Sequence, residues 1–142
     1  MPKVALVNIL SGFVVLFLAA SFGVFIAFDI TEAFLRDREL YDSWQMIIER
    51  HSHGHTNLFA MMQILFGLTL PYSKLSLRIK WIQTAGFWAG MIGMGPMMLA
   101  RAAAGPSDAL DLIEIITGGL LSFCFAALVL HCYGLLAKVM RR

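Results

Sequence analysis

Charge is scarce in this chain. Asp, Glu, Lys and Arg make up 14% of its 142 residues, against ~25% in ordinary soluble domains, while 59% of its residues are hydrophobic. That shortage excludes a conventional water-soluble globule, and the mean hydropathy of +0.76 points to a membrane protein. The excess of base over acid is small as well. Eleven basic and 9 acidic residues leave a net charge of +2, which gives no basis for nucleic acid as a partner. Cysteine is limited to Cys124 and Cys132, eight positions apart on one expected helix. They lie ~12 Å apart by helical rise, beyond the reach of a mutual disulfide. The sequence contains neither a nucleophile triad nor a phosphate-binding loop, and shows no low-complexity stretch or clear repeat.

What is there is long apolar runs. At ~20 residues per span, four spans take about 80 residues and leave roughly 60 for ends and connections, so a second folded domain does not fit. The runs place spans at about 4–29, 51–71, 81–100 and 112–136, an all-α integral membrane four-helix bundle. The first run is longer than a signal-peptide core and reads as an anchored helix. Lys3, Lys74, Arg78, Lys80, Lys138, Arg141 and Arg142 fall on one side, and Arg36, Arg38, Arg50 and Arg101 on the other. This bias makes both termini cytoplasmic and the protein a multi-pass inner-membrane one. Every acidic residue and three of the four histidines then lie toward the outer end.

The second apolar run, Thr56 to Leu70, has 15 residues and rises only ~22 Å, short of a ~30 Å hydrocarbon core. Its helix must draw in Arg50-His-Ser-His-Gly-His55. At 100° per residue, His51 and His55 share a face with Phe59, Met62 and Phe66, opposite His53 and Asn57. That face is expected to turn toward the bundle, where His51 and His55 can grip one metal. Two acidic pairs lie at the same depth, Asp29 with Glu32 and Asp111 with Glu114. The face of Asp111 and Glu114 continues through Gly118 and Ser122 and reads as bundle-facing. Glu114 is thus expected within reach of the histidines, giving a candidate metal set of His51, His55, Glu114 and Asp111. The alternative for the acids is capping of the fourth helix and solvated loop charge, and for the histidines hydrogen bonding at the lipid headgroups.

On the third helix, Gly86 and Gly90, extended by Gly93, form a small-residue face that admits a close neighbour or docks a larger partner. Met91, Met94 and Met98 form a second stripe, either flexible core filler or soft ligands for Cu(I) or heme. Pro96 should kink this helix and free a carbonyl. His131, ~30 Å below Asp111, is either a hydrogen-bonded histidine or a second site.

The segment His53-Gly-His-Thr-Asn-Leu-Phe-Ala-Met61 resembles the second-helix histidine motif of subunit I of the heme-copper oxidase and nitric oxide reductase superfamily. It resembles more closely the small four-helix bacterial membrane proteins related to that subunit, whose order of helices, with Gly23-Val-Phe25 closing the first, covers nearly the whole chain. The resemblance implies heme b ligation through His55 or His53 and respiratory redox chemistry. The fourth helix departs from the pattern, carrying Thr117-Gly-Gly-Leu120 and no histidine in its outer half. The expected functions are therefore a heme b or copper redox protein with Met98 as a further cofactor ligand, a copper carrier, or a metal-free accessory subunit. The expected partners are membrane lipid and a homo-oligomer or larger membrane complex.

Overall fold

A computed structural model describes residues 1–140, and every regular element in it is helical. The order is α1 (Lys3–Arg36), a short α2 (Arg38–Tyr41), α3 (Trp44–Thr69), α4 (Leu77–Ile92), a π-helical turn (Gly93–Met97), α5 (Met98–Ala104) and α6 (Leu112–Val139). Two of these helices, α1 and α6, are long and apolar enough to cross a membrane.

The helices overrun the apolar stretches that announce them. With 34 residues, α1 is ~51 Å long and continues past Asp29. No Gly or Pro interrupts Asp29–Arg36, and Glu32 pairs with Arg36 at 2.9 Å one turn on. The chain then turns at Asp37, whose carboxylate accepts the Leu40 N–H and caps α2. Ser43 caps α3 in the same way, through the Met46 N–H. This sets the start at Trp44 rather than near residue 51, and the helix passes through Gly54 without a break.

A heptad of small residues joins α1 to α3. Ala5, Gly12, Ala19, Ile26 and Ala33 are all buried and recur every seven positions. Met46, His53, Ala60 and Gly67 recur at the same spacing on the antiparallel α3, all buried except the half-buried His53. A seven-residue period keeps two helices on one seam, and small side chains let their axes close up. The approach is tight: a Cβ on Gly12 would lie 2.8 Å from the Ala60 carbonyl oxygen, and one on Gly67 2.8 Å from that of Ala5.

On the third helix, Pro96 produces a π-helical turn rather than a simple kink. Proline supplies no N–H, so the ladder opens. Ser52 Oγ donates to the carbonyls of Met94 (3.2 Å) and Gly95 (3.1 Å), and Thr56 Oγ1 shares its proton between the Ser52 carbonyl at 2.7 Å and Met94 O at 3.3 Å. Hydroxyls of α3 thereby tie that helix to the backbone of the π-turn.

The glycine face of α4 is filled from within the chain. A Cβ on Gly86 would meet Ala127 at 2.6 Å, one on Gly90 would meet Cys124 and Phe59 at 2.6 Å, and one on Gly93 would contact Leu120. Of α6, the buried stripe is Cys124, Ala127, His131 and Gly134. Gly118 and Ser122, expected to face the bundle, are exposed, and nothing lies within 4 Å of a Cβ on Gly118. The close fit against Gly86 and Gly90 fixes the rotation of α6 and turns that stripe outward.

Between the helices, Phe66 stacks on Phe87 at 4.3 Å and meets His131 edge-on at 4.6 Å. A buried amide layer crosses the inner half: Asn8 Nδ2 donates to Thr84 Oγ1 at 2.8 Å, and Gln63 Nε2 donates to Asn8 Oδ1 at 2.5 Å. His131 is a hydrogen-bonded core residue, its Nε2 2.8 Å from Thr69 Oγ1.

The seam makes a paired prediction. Gly12→Ala drives a Cβ against backbone that cannot yield, so thermal unfolding in detergent should show a loss of about 1–3 kcal/mol. Gly54→Ala, with open space at its Cβ, should instead gain up to ~1 kcal/mol of helix propensity. Equal responses would remove the seam as the reason for Gly12.

Candidate functional site

The outer half of α3 carries the chemistry, and neighbouring elements decide where each side chain goes. Ser52 and Thr56 must reach the π-turn carbonyls, and the heptad seam holds Met46, His53 and Ala60 against α1. Together these fix the rotation of the helix. His53 consequently lies on Gly23 of α1, where an added Cβ would come within 2.4 Å of its ring. His51 is exposed and His55 half-buried; with Arg50, Gly54 and Leu58 they line an open depression of about 220 Å³. The orientation expected from the sequence is therefore reversed: His53 turns inward while His51 and His55 face out. Phe59 and Phe66, placed on the histidine face by 100° steps, are buried as expected. The inward face of the outer half is instead set by the hydroxyls.

The outward pair has a defined tautomer. His51 Nδ1 donates to the Ile47 carbonyl at 2.9 Å and His55 Nδ1 to the His51 carbonyl at 2.8 Å. A carbonyl only accepts, so each ring carries its proton on Nδ1 and leaves the Nε2 lone pair free. The two rings lie 6.2 Å apart by centroid, tilted by 35°. An imidazole oriented through one nitrogen with the other free is the usual arrangement of a metal-binding histidine.

The carboxylates do not join them. Arg101, 7% exposed at its side chain, bonds Glu114 Oε1 through Nε at 3.1 Å and reaches Asp111 Oδ2 at 3.3 Å. It also donates to the Gly105 carbonyl and lies 5.0 Å above the Trp44 ring. Asp111 caps α6, accepting the Glu114 N–H at 2.9 Å, while Glu114 accepts the Asp111 N–H in return. Asp111 and Glu114 thus act as cap and counter-charge, and the expected set of His51, His55, Glu114 and Asp111 is not brought together. Among the described residues, no group of three or more His, Cys, Asp or Glu side chains is placed to hold a metal. Asp29 and Glu32 are exposed surface charge. Arg101 is the residue that reading by side missed; a cation at the end of an apolar third helix, facing acids at the start of the fourth, was the available signal.

A second feature is a fissure of about 510 Å³ between α1, α3 and the π-turn, lined by Val15, Phe22, His53, Trp88, Met91 and Leu99 among others. No charged side chain lines it. Asn57 Nδ2 lies 3.2 Å from His53 Nε2 and 3.5 Å from Nδ1, a donor that the ring accepts only through its unprotonated nitrogen. The heme b that the resemblance implies does not fit these donors. His53 is the only imidazole on the fissure, the Asn57 amide stands against its ring nitrogens, and neither His55 nor Met98 lines it.

No protein-family model matches this chain, and no curated protein or solved structure matches it either.

The Arg101 cluster yields a direct prediction. Arg101→Ala leaves two carboxylates facing each other without a cation and should cost about 3 kcal/mol of unfolding free energy, at the low end for a broken buried pair because both acids reach solvent. Glu114→Gln keeps a hydrogen bond to Arg101 and should cost about 1 kcal/mol. Unfolding in mild detergent measures both, and a harmless Arg101→Ala would contradict the clamp.

Proposed function

We propose that this chain is a multi-pass inner-membrane protein of four spanning helices, both termini cytoplasmic, that binds a transition-metal ion at its outer end through His51 and His55. Copper is the ion these donors suit best. The membrane reading is supported by α1 and α6, whose apolar side chains are largely exposed, as with Phe17 at 71% and Val129 at 68%. Lipid is the partner for those faces. The orientation is supported by the basic residues at the inner end. There, burial and then the charge of Lys138 hold the Lys80 ammonium below the usual lysine range.

The single observation that carries the metal reading is the pinned tautomer: two imidazoles one turn apart, each with Nδ1–H given to the backbone and Nε2 free. Two nitrogens on one helix face leave most of a metal's coordination positions open, which suits capture and transfer rather than a closed structural site. Imidazole pairs favour Cu(II) over the other divalent first-row ions. The thioethers enter less directly, since Met91 is buried and Met94 packs against the core. A relay through Met91, Met94 and Met98 is therefore not part of the proposal.

Titration of detergent-purified protein with Cu(II), followed by electron paramagnetic resonance, tests this reading. One copper should bind per chain, and His51→Ala and His55→Ala should each weaken binding by about tenfold or more. His53→Ala should leave affinity unchanged. Loss of copper with His53→Ala alone, or a parent protein that binds none, would reject it.

A further inference from the structure

From a separate set of residues, we infer that the fissure between α1, α3 and the π-turn binds an uncharged lipid whose head carries a carbonyl or hydroxyl oxygen. The walls are almost wholly apolar, with Val15, Phe22, Ile92 and Leu99 among them, and the space of about 510 Å³ is large enough for a ring or a length of acyl chain. Its polar equipment is unequal. Ser11 receives the Trp88 indole N–H at 3.2 Å, and Ser52 and Thr56 are engaged with the π-turn carbonyls. Of the polar side chains on the walls, His53 is the one with a ring N–H left over, because Asn57 Nδ2, itself a donor beside both ring nitrogens, can engage only the unprotonated one. The fissure thus offers one neutral donor and no cation or anion. A phosphate or carboxylate head would be desolvated there without a counter-charge, at high cost, whereas a neutral oxygen acceptor suits the imidazole N–H.

The glycine at position 23 fits the same purpose. His53 sits within the α1–α3 seam and needs a residue without a side chain opposite it. A small apolar residue at 53 would close the seam more simply. The fold instead keeps an imidazole at one end of an apolar space, with Gly23 making room and the Asn57 amide beside it.

Trp88 lines the fissure, so its fluorescence reports occupancy. The test uses full-length protein carrying Trp44→Phe and Trp81→Phe in phosphatidylcholine nanodiscs, without added metal. Three probes are titrated: a decyl-substituted benzoquinone, a monoacylglycerol brominated along its chain, and the equally brominated free fatty acid. At least one neutral probe should quench Trp88 saturably, and which one does so distinguishes a ring-headed from an ester-headed lipid. His53→Leu should weaken that binding roughly tenfold. Ile92→Phe, which fills the fissure from α4 without touching the seam, should abolish saturation even if His53→Leu perturbs folding. Quenching that rises linearly for every probe and ignores both substitutions would overturn the inference, as would saturable binding of the fatty acid equal to that of the neutral probes. Copper binding by His51 and His55 plays no part in the readout, so the two proposals stand or fall separately.

Discussion

The hydroxyls of Ser52 and Thr56, packed on the Met94 and Gly95 carbonyls of the π-turn around Pro96, decide how α3 is turned. In water those carbonyls would be solvated and the bonds would matter little. Buried between helices, each such bond contributes about 1 kcal/mol, which biases α3 against rotating away from them. The consequences pass outward in order. With Ser52 and Thr56 held against the π-turn, His53 is delivered to the α1 seam, where Gly23 receives it, and His51 and His55 are left on the outer surface. Contacts with the π-turn on one helix thus bear on the placement of three histidines on another.

The outer end is closed by a different device. Arg101 sits at the C-terminal end of the third helix and binds the capping pair Asp111 and Glu114 at the start of the fourth. The loop between them is drawn in through the Gly105 carbonyl, and Trp44 covers the guanidinium. Charges that looked available for a metal are thereby neutralised locally, and the histidine pair is left as a two-donor site without carboxylates. That separation is why the proposed metal site is open, and why it is assigned to imidazole nitrogen alone.

Much of the fold is legible in the sequence. The all-helical character follows from the apolar runs, the break near Pro96 from proline chemistry, the close α4–α6 contact from Gly86 and Gly90, and the cap at Asp111 from its spacing to Glu114. The rotation of α3 is not legible in the same way. A hydrophobic wheel assigns faces by contrast between apolar and polar residues, and in a chain this apolar the contrast is weak. The features that set the rotation are polar or small. Ser52 and Thr56 acquire their role only from the backbone of a π-turn elsewhere in the chain, and most of the heptad of Ala5, Gly12, Ala19, Ile26 and Ala33 hides inside a uniformly apolar run. Arg101 was visible as a cation but not as a clamp, because its partners come from the next helix.

The account rests on the reversed histidine geometry, and nitrogen-15 NMR of histidine-labelled protein in detergent reads it most directly. His51 and His55 should both appear as the Nδ1–H tautomer, and substoichiometric Zn(II), a diamagnetic stand-in for copper, should shift the Nε2 signals of those two rings while leaving His53 unmoved. A metal-induced shift at His53, or the Nε2–H tautomer at His51 and His55, would contradict it.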